Sequence, residues 1–285
     1  MTNFDLFAKI KDYRGKFTKA EQKVADYLMQ KPQEVLYMSI TDLAEKCGVG
    51  DTTVFRFCKT LHMAGYQDFK MHLAQAMTSG DSAELTLSDE IRLTDSTSEV
   101  CRKLLSTHLS ALNQTMEMLR PDDVHKAISL IESARIIHFF GMGSSAATAQ
   151  EAKYKFNRVL PNVSFEPDAH MQSMTASLMG ERDLAVAFSY SGATKGTIEV
   201  VKRARENHAK IICITRFAES PFAAYGDVVL LCGANEGPFQ GGALSAKISQ
   251  LFLVDVLYTE YFKYNYEQSD RNKKATSASI ADKLL

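Results

Sequence analysis

Between residues 135 and 262, short apolar runs alternate with segments of helical length. The runs are 135–140, 162–166, 184–189, 210–215 and 227–232. The helical stretches are 146–159, 170–179, 197–207 and 244–262. Two neighbouring strands joined through a helix must run parallel, and a parallel sheet must be covered on both faces. This half of the chain is therefore read as an α/β, doubly wound parallel-sheet domain.

Upstream the pattern differs. Residues 1–77 read as consecutive short helices. Residues 78–98 are rich in Ser, Thr and Asp with isolated apolar positions, as in a linker. The expected organisation is an all-α domain at 1–77, a linker at 78–98, the α/β domain at 99–265 and a polar tail at 266–285, frayed or docked on a partner. The 285 residues carry a formal net charge of −1, which excludes a uniformly basic nucleic-acid binder but not a local basic face. Residues 1–77 hold 11 Lys+Arg against 9 Asp+Glu. That +2 balance permits DNA binding without arguing for it.

No apolar stretch approaches a membrane span, and the first residues intersperse Asp and Lys without a signal-peptide core. The expected location is the cytoplasm, with no membrane partner. The five cysteines form no C-x-x-C pair and each sits among apolar residues, so they read as buried core thiols. The seven histidines show no metal-binding spacing, and no metal site is expected.

The N-terminal half holds one informative segment, 39–61. Ser39 with Asp42 is a capping box that opens a helix at about Ile40. Gly48 and Gly50 bracket a three-residue break, the length of a helix-turn-helix corner, and Asp51 is placed to cap a second helix. On that helix Val54, Phe57, Cys58 and Leu61 form one apolar stripe. Thr52, Arg56, Lys59 and Thr60 face the other way, flanked by Thr53 and Phe55. Such a face can be plainly solvated. It also suits a recognition helix, because Arg reads guanine edges and Thr meets phosphates or the thymine methyl. Upstream, Thr18 and Glu21 form another capping box.

In the second half, two strands end in Ser-rich loops, F140-G-M-G-S-S-A146 and F188-S-Y-S-G-A-T-K195. Ligands of parallel sheets sit beyond the carboxyl ends of the strands, so both loops should converge on one crevice. Gly143, Ser144 and Ser145 open a helix whose N-terminus favours an anion. Ser189, Ser191 and Thr194 add hydroxyl donors, and backbone N–H groups around Gly192 can form an anion nest. This is a phosphate site of mainly neutral donors, suited to a sugar phosphate. A rival reading takes Gly141, Gly143 and Ala146 as a dinucleotide fingerprint with Glu166 as the ribose acid, but it leaves the second Ser loop unexplained.

The run S39-I-x-x-L-A, V49, T53-V-x-R56-F57-C58-x-x-L61, G65-Y-x-D68-F-K70 resembles the N-terminal domain of the RpiR/MurR family of transcriptional regulators. That family usually places Ser near the start of the recognition helix, where this chain has Gly50. G-M-G-S-S and S-Y-S-G-A-T-K resemble the two phosphate-binding loops of the SIS (sugar isomerase) domain, with Tyr190 where His or Gln is common. The order of the two modules matches that family across nearly the whole chain.

The resemblance implies a DNA-binding regulator of carbohydrate metabolism with a SIS domain that senses a phosphosugar. DNA contacts fall to Ser39, Thr52, Thr53, Phe55, Arg56 and Lys59, and phosphate contacts to Gly143, Ser144, Ser145, Ser189, Ser191, Gly192 and Thr194. It also implies a homodimer or homotetramer on a palindromic operator, and no cofactor. SIS domains also occur in isomerases and lyases, which need a base near the sugar carbonyl. Glu151, Glu166, His170, Glu236 and Lys247 are the candidates, and none forms a recognisable acid/base pair. The reading is therefore a sensor and not an enzyme, the alternative being a SIS-type phosphosugar isomerase or lyase.

Overall fold

The computed structural model describes residues 6–78, 91–233 and 244–281. Among them the chain divides into two compact units, one ending at Thr107 and the other beginning at His108. The division falls inside a helix, and most of the 78–98 stretch expected as a linker lies outside the described residues.

The first unit is built on six short helices: α1 (Leu6–Asp12), α2 (Lys19–Gln30), α3 (Pro32–Tyr37), α4 (Ile40–Cys47), α5 (Asp51–Thr60) and α6 (Tyr66–Thr78). Both expected capping boxes are present. The Thr18 hydroxyl accepts from the Glu21 N–H, and the Glu21 carboxylate accepts from the Thr18 N–H. Ser39 and Asp42 do the same at 3.0 and 2.9 Å. Each box satisfies donors that a helix start otherwise leaves open. The helices close over Leu28, Leu43, Phe57, Leu61, Phe69 and Leu73, all fully buried. The Phe57 ring lies 5.0 Å from that of Phe17 and 5.8 Å from that of Phe69.

The helix α7 (Thr97–Met118) follows, and then α8 (Pro121–Ser133), which begins on a proline at its first position. Next come β1 (Ile137–Gly141), α9 (Ser144–Phe156), β2 (Val163–Phe165), α10 (Ala169–Ser177), β3 (Leu184–Phe188), α11 (Lys195–Glu206), β4 (Lys210–Thr215) and β5 (Val228–Leu231). Two helices end the chain, α12 (Leu244–Tyr264) and α13 (Tyr266–Ala278). The five strands are all parallel, in the order β2-β1-β3-β4-β5.

Alternation along each strand separates two cores. Ile137, Phe139, Leu184, Val186, Phe188, Ile212 and Ile214 face α8, α9 and α12. Phe140, Ala185, Ala187, Ile211 and Cys213 face α10 and α11. With both faces covered, the strands read as continuous apolar runs, which is why they were visible in the sequence. At the amino ends of β1 and β3, Arg135 donates two hydrogen bonds to the buried Asp183 carboxylate, at 2.9 and 2.8 Å. Burial works to raise the Asp183 pKa, but the Arg135 and Gly180 hydrogen bonds outweigh it and hold the group below the ordinary carboxylate range.

Two expectations are corrected. The polar tail at 266–285 is helical over Tyr266–Ala278 and docks on its own unit. Asn272 donates to the Val159 carbonyl at 2.7 Å, and the Thr276 hydroxyl to the Arg158 carbonyl at 3.0 Å. Side-chain hydrogen bonds to a neighbouring helix end anchor this segment without an apolar stripe. Of the cysteines, Cys47, Cys58, Cys213 and Cys232 are buried, but Cys101 is exposed on α7. No helix among the described residues is long and apolar enough to cross a membrane.

Candidate functional site

In the first unit, Gly48 ends α4 in the left-handed region and α5 begins three residues later. The residue at the N-cap of α5 is Gly50, and Asp51 does not cap it. Asp51 is instead the first helical residue, where its charge complements the helix dipole, and it accepts from the Thr41 hydroxyl at 3.0 Å. That bond ties α4 to α5 and fixes the corner.

The α5 stripe is buried as expected, with Val54, Phe57, Cys58 and Leu61 fully enclosed. Thr52, Phe55, Arg56 and Lys59 are exposed and Thr53 is half-buried, so these five share one accessible face. Ser39 stands apart from them. It is buried, and its hydroxyl serves the α4 cap.

Phe55 leaves 45% of its surface exposed, a high value for an aromatic ring in a small helical unit. Lys59 donates to the Ala64 carbonyl at 2.9 Å and lies 5.3 Å above the Phe55 ring, so it clamps the end of α5. Among the described residues Arg56 makes one long bond, 3.4 Å to the Thr52 carbonyl, which leaves most of its donors available. Beneath this face, Thr60 donates to Glu21 at 3.0 Å. The Glu21 carboxyl is pushed up by burial, but hydrogen bonds from Thr18 and Thr60 and the Arg56 charge pull it below its usual range.

Sequence reasoning missed Lys70. It is buried on α6, donates to the Met38 carbonyl at 3.1 Å, and burial lowers its pKa to about 8. Tyr66 donates to the same carbonyl at 3.2 Å. Together they pin the turn that enters α4. A charged side chain gave no sign of this burial, although its neighbours Phe69 and Met71 are apolar.

The second site follows from strand order. Strand connections run outward in opposite directions from β1 and β3, which makes the gap between those two strands the topological switch point. Their last residues, Gly141 and Phe188, are register partners. The two Ser-rich loops therefore leave the sheet side by side.

Gly141 packs against the first turn of α9, so closely that an added Cβ would lie 2.5 Å from the Ser145 carbonyl oxygen. Gly143 is the N-cap of α9, Ser144 is exposed in its first turn, and Ser145 is buried behind it. In the second loop the Ser189 N–H donates to Ile214 O at 3.0 Å, yet the Ser189 hydroxyl is buried and has no hydrogen-bond partner among the described residues. Gly192 has φ +60°, donates to Ser189 O at 3.2 Å, and leaves no room for a side chain against Ser220. Ser191 is half-buried, and Thr194 is the exposed N-cap of α11. Two helix N-termini, α9 and α11, thus open beside the same gap. The Lys195 side chain is 92% exposed, which leaves neutral donors in charge of the crevice.

Two supporting residues were not foreseen. Gln172 is buried on α10 and holds the end of β1 with both ends of its amide. It donates to the Gly141 carbonyl at 2.8 Å and accepts from the Gly141 N–H at 3.3 Å, and it also donates to Glu166 O at 2.8 Å. Thr197, in the first turn of α11, has a buried hydroxyl without a partner among the described residues. An isolated Gln in a helical run and a Thr after a loop carry no pattern that would have marked them.

The acid/base candidates do not gather. Glu151 and His170 are exposed, on α9 and α10, Lys247 is half-buried on α12, and Glu236 lies outside the described residues. The Glu166 carbonyl is engaged by Gln172. Among the described residues, no group of three His, Cys, Asp or Glu could hold a metal ion.

Comparison with known proteins agrees with both halves. The family model of the helix-turn-helix domain, rpiR family, matches residues 4–80, and that of the SIS domain matches residues 129–260. An HTH-type transcriptional regulator of Clostridium perfringens is 32% identical over 278 residues, covering 97% of this chain and 99% of that protein. The chain belongs to the rpiR family of helix-turn-helix transcriptional regulators. The regulator HexR of Pseudomonas aeruginosa is 35% identical to this RpiR-family chain, over 90% of it and 88% of HexR. Among solved structures, NanR of Vibrio vulnificus, complexed with ManNAc-6P, superposes with a TM-score of 0.86 at 25% identity, covering 98% of this chain and 100% of NanR. The sugar isomerase domain of an RpiR transcription factor from Sphaerobacter thermophilus shares the fold of the second unit, with a TM-score of 0.58 over 63% of this chain and 99% of that one.

Proposed function

We propose that this RpiR-family regulator binds operator DNA through α5 and senses a phosphorylated sugar in the crevice between β1 and β3. The observation that carries the reading is the Ser189 hydroxyl. A buried hydroxyl without a partner costs about 1–3 kcal/mol, and a ligand oxygen would supply the missing bond. Gly143, Ser144 and Ser145 on one side, and Ser189, Ser191, Gly192 and Thr194 on the other, hold the phosphate. The match to NanR, solved with a sugar 6-phosphate, supports the ligand class.

Thr52, Thr53, Phe55 and Arg56 meet the major groove, with Lys59 supporting the ring of Phe55. Two copies of the chain place two such helices on a palindromic operator, about 34–36 Å apart. The ligand regulates only if it binds the DNA-competent and DNA-incompetent states with different affinity. The names of the relatives and the scattered acid/base candidates favour a sensor over an isomerase.

Ser189→Ala tests the crevice. The free protein is expected to hold or gain stability, since the substitution removes an unpaired polar group. The rise in melting temperature with sugar phosphates, read by thermal shift, is expected to vanish. An undiminished rise would move the ligand elsewhere. Arg56→Ala is expected to weaken operator binding by about 1–3 kcal/mol, measured by fluorescence anisotropy, and to leave the sugar-phosphate shift intact. Equal loss of both responses would defeat this division of roles.

A further inference from the structure

The carboxyl-terminal end of α9 carries a second polar surface. Glu151, Tyr154, Lys155 and Arg158 recur at spacings of three and four residues and share one side. With Tyr258 of α12 and Lys273 of α13 they line an open groove of about 450 Å³. That volume falls in the range of small-molecule sites, roughly 300–1,000 Å³.

Among the described residues, two of the cations lining this groove have no carboxylate partner. Three cations meet one carboxylate on its walls. Lys155 is paired with Asp255, beside the groove, and lies 5.5 Å from the Tyr258 ring centroid. Arg158 donates to the Ser277 hydroxyl at 3.1 Å. Lys273 lies over the Phe262 ring at 5.3 Å. Among the described residues neither Arg158 nor Lys273 has a carboxylate within ion-pair distance. A lone surface lysine is ordinarily left to water. Here Arg158, two residues past the end of α9, and Lys273 of α13 line one concavity, in a stretch (residues 108–285) that holds 19 Lys+Arg and 19 Asp+Glu.

The walls add a second chemistry. Tyr154 leaves 55% of its surface exposed, with Lys153 5.6 Å from its ring centroid, and the half-buried Tyr258 of α12 lines the same groove. Exposed aromatic rings accept the flat face of a base, and guanidinium groups bind phosphate oxygens in pairs. We propose that this groove is a second ligand site, taking a nucleoside diphosphate or a similar planar ring bearing a dianion. It is independent of the crevice between β1 and β3. The two share α9, whose first turn serves one and whose last turns serve the other, about 15 Å apart at 1.5 Å per residue.

The test uses the full chain and four probes: ADP, adenosine, pyrophosphate and inorganic phosphate, titrated by calorimetry at low salt. ADP is expected to bind more tightly than any of the other three. Arg158→Gln combined with Lys273→Gln should weaken ADP at least tenfold. Tyr154→Ala should weaken ADP while leaving pyrophosphate unchanged. Ser189→Ala should alter none of this, which separates failure of the sugar-phosphate reading from failure of the present one. All three variants change exposed groups or the distant crevice, and a melting curve confirms that each is folded. Absence of ADP binding, or ADP binding untouched by the groove variants, overturns the proposal. Binding lost in Ser189→Ala also overturns it, by placing the nucleotide in the crevice. Pyrophosphate binding as tightly as ADP overturns the ring assignment, and adenosine binding as tightly overturns the anion.

Discussion

Phe57→Ala is expected to abolish operator binding by unfolding the helix-turn-helix unit, with the SIS-domain unit still folded. Phe57 has no exposed surface and touches the rings of Phe17 and Phe69 at 5.0 and 5.8 Å. Truncating a buried Phe to Ala costs about 3–5 kcal/mol through lost transfer energy and the cavity left behind. Loss of the two ring contacts is part of that cost, at roughly 0.5–1.5 kcal/mol each. A unit of this size has a small core, and stability of that order is most of what it holds. The check is a thermal melt followed by two probes: loss of helical signal at low temperature, then a second transition still raised by sugar phosphate. Phe55→Ala is the control. Its ring is two residues away on the exposed face, so the unit should stay folded while operator affinity falls. If Phe57→Ala bound operator normally, the core of this unit would have been misjudged.

Gly141→Ala is expected to eliminate sugar-phosphate binding with a more modest loss of stability. A methyl group there would sit 2.5 Å from the Ser145 oxygen and 2.8 Å from its carbonyl carbon. Both are backbone atoms in the first turn of α9, so relief requires the helix start to shift. Overpacking of this kind costs about 1–3 kcal/mol. The functional loss is larger, because Ser144 and Ser145 move with the helix. Losing two hydrogen bonds to a charged ligand, at about 1.5–3 kcal/mol each, lowers affinity by more than about 100-fold. Thermal-shift titration reads this directly: the variant should melt somewhat lower and show no ligand response. A variant that melts lower but responds at the same concentrations would show that the first loop does not hold the phosphate.

Much of this was legible in the sequence, for physical reasons. Thr18 with Glu21, and Ser39 with Asp42, are local signals, because a capping box involves only residues three apart. The α5 stripe is visible because one helix face is a fixed spacing, and the central strands β3 and β4 because burial on both faces demands unbroken apolar runs. What escaped was set by partners distant in the chain. Asp51 looked like a cap and instead bonds Thr41 on the preceding helix. Gln172 holds Gly141 across 31 residues. The helix at Tyr266–Ala278 is anchored by single polar bonds to Val159 and Arg158, and no periodicity announces such bonds. Cys101 is followed by Arg102 and Lys103, a charged neighbourhood that agrees with its exposure on α7.

Strand order also has a consequence for biosynthesis. Gly141 and Phe188 are adjacent in the sheet, but α9, β2 and α10 all intervene between them along the chain. Such a non-local pairing forms slowly relative to helices, since its loop must close before any contact rewards it. The helix-turn-helix unit, by contrast, is made from neighbours in sequence and leaves the ribosome before the sheet. On the proposed reading, there is therefore an interval during synthesis in which a nascent chain has its DNA-reading helix but no effector crevice. Any contact such a chain makes with its operator is deaf to metabolite, and a chain truncated before residue 188 would remain so permanently.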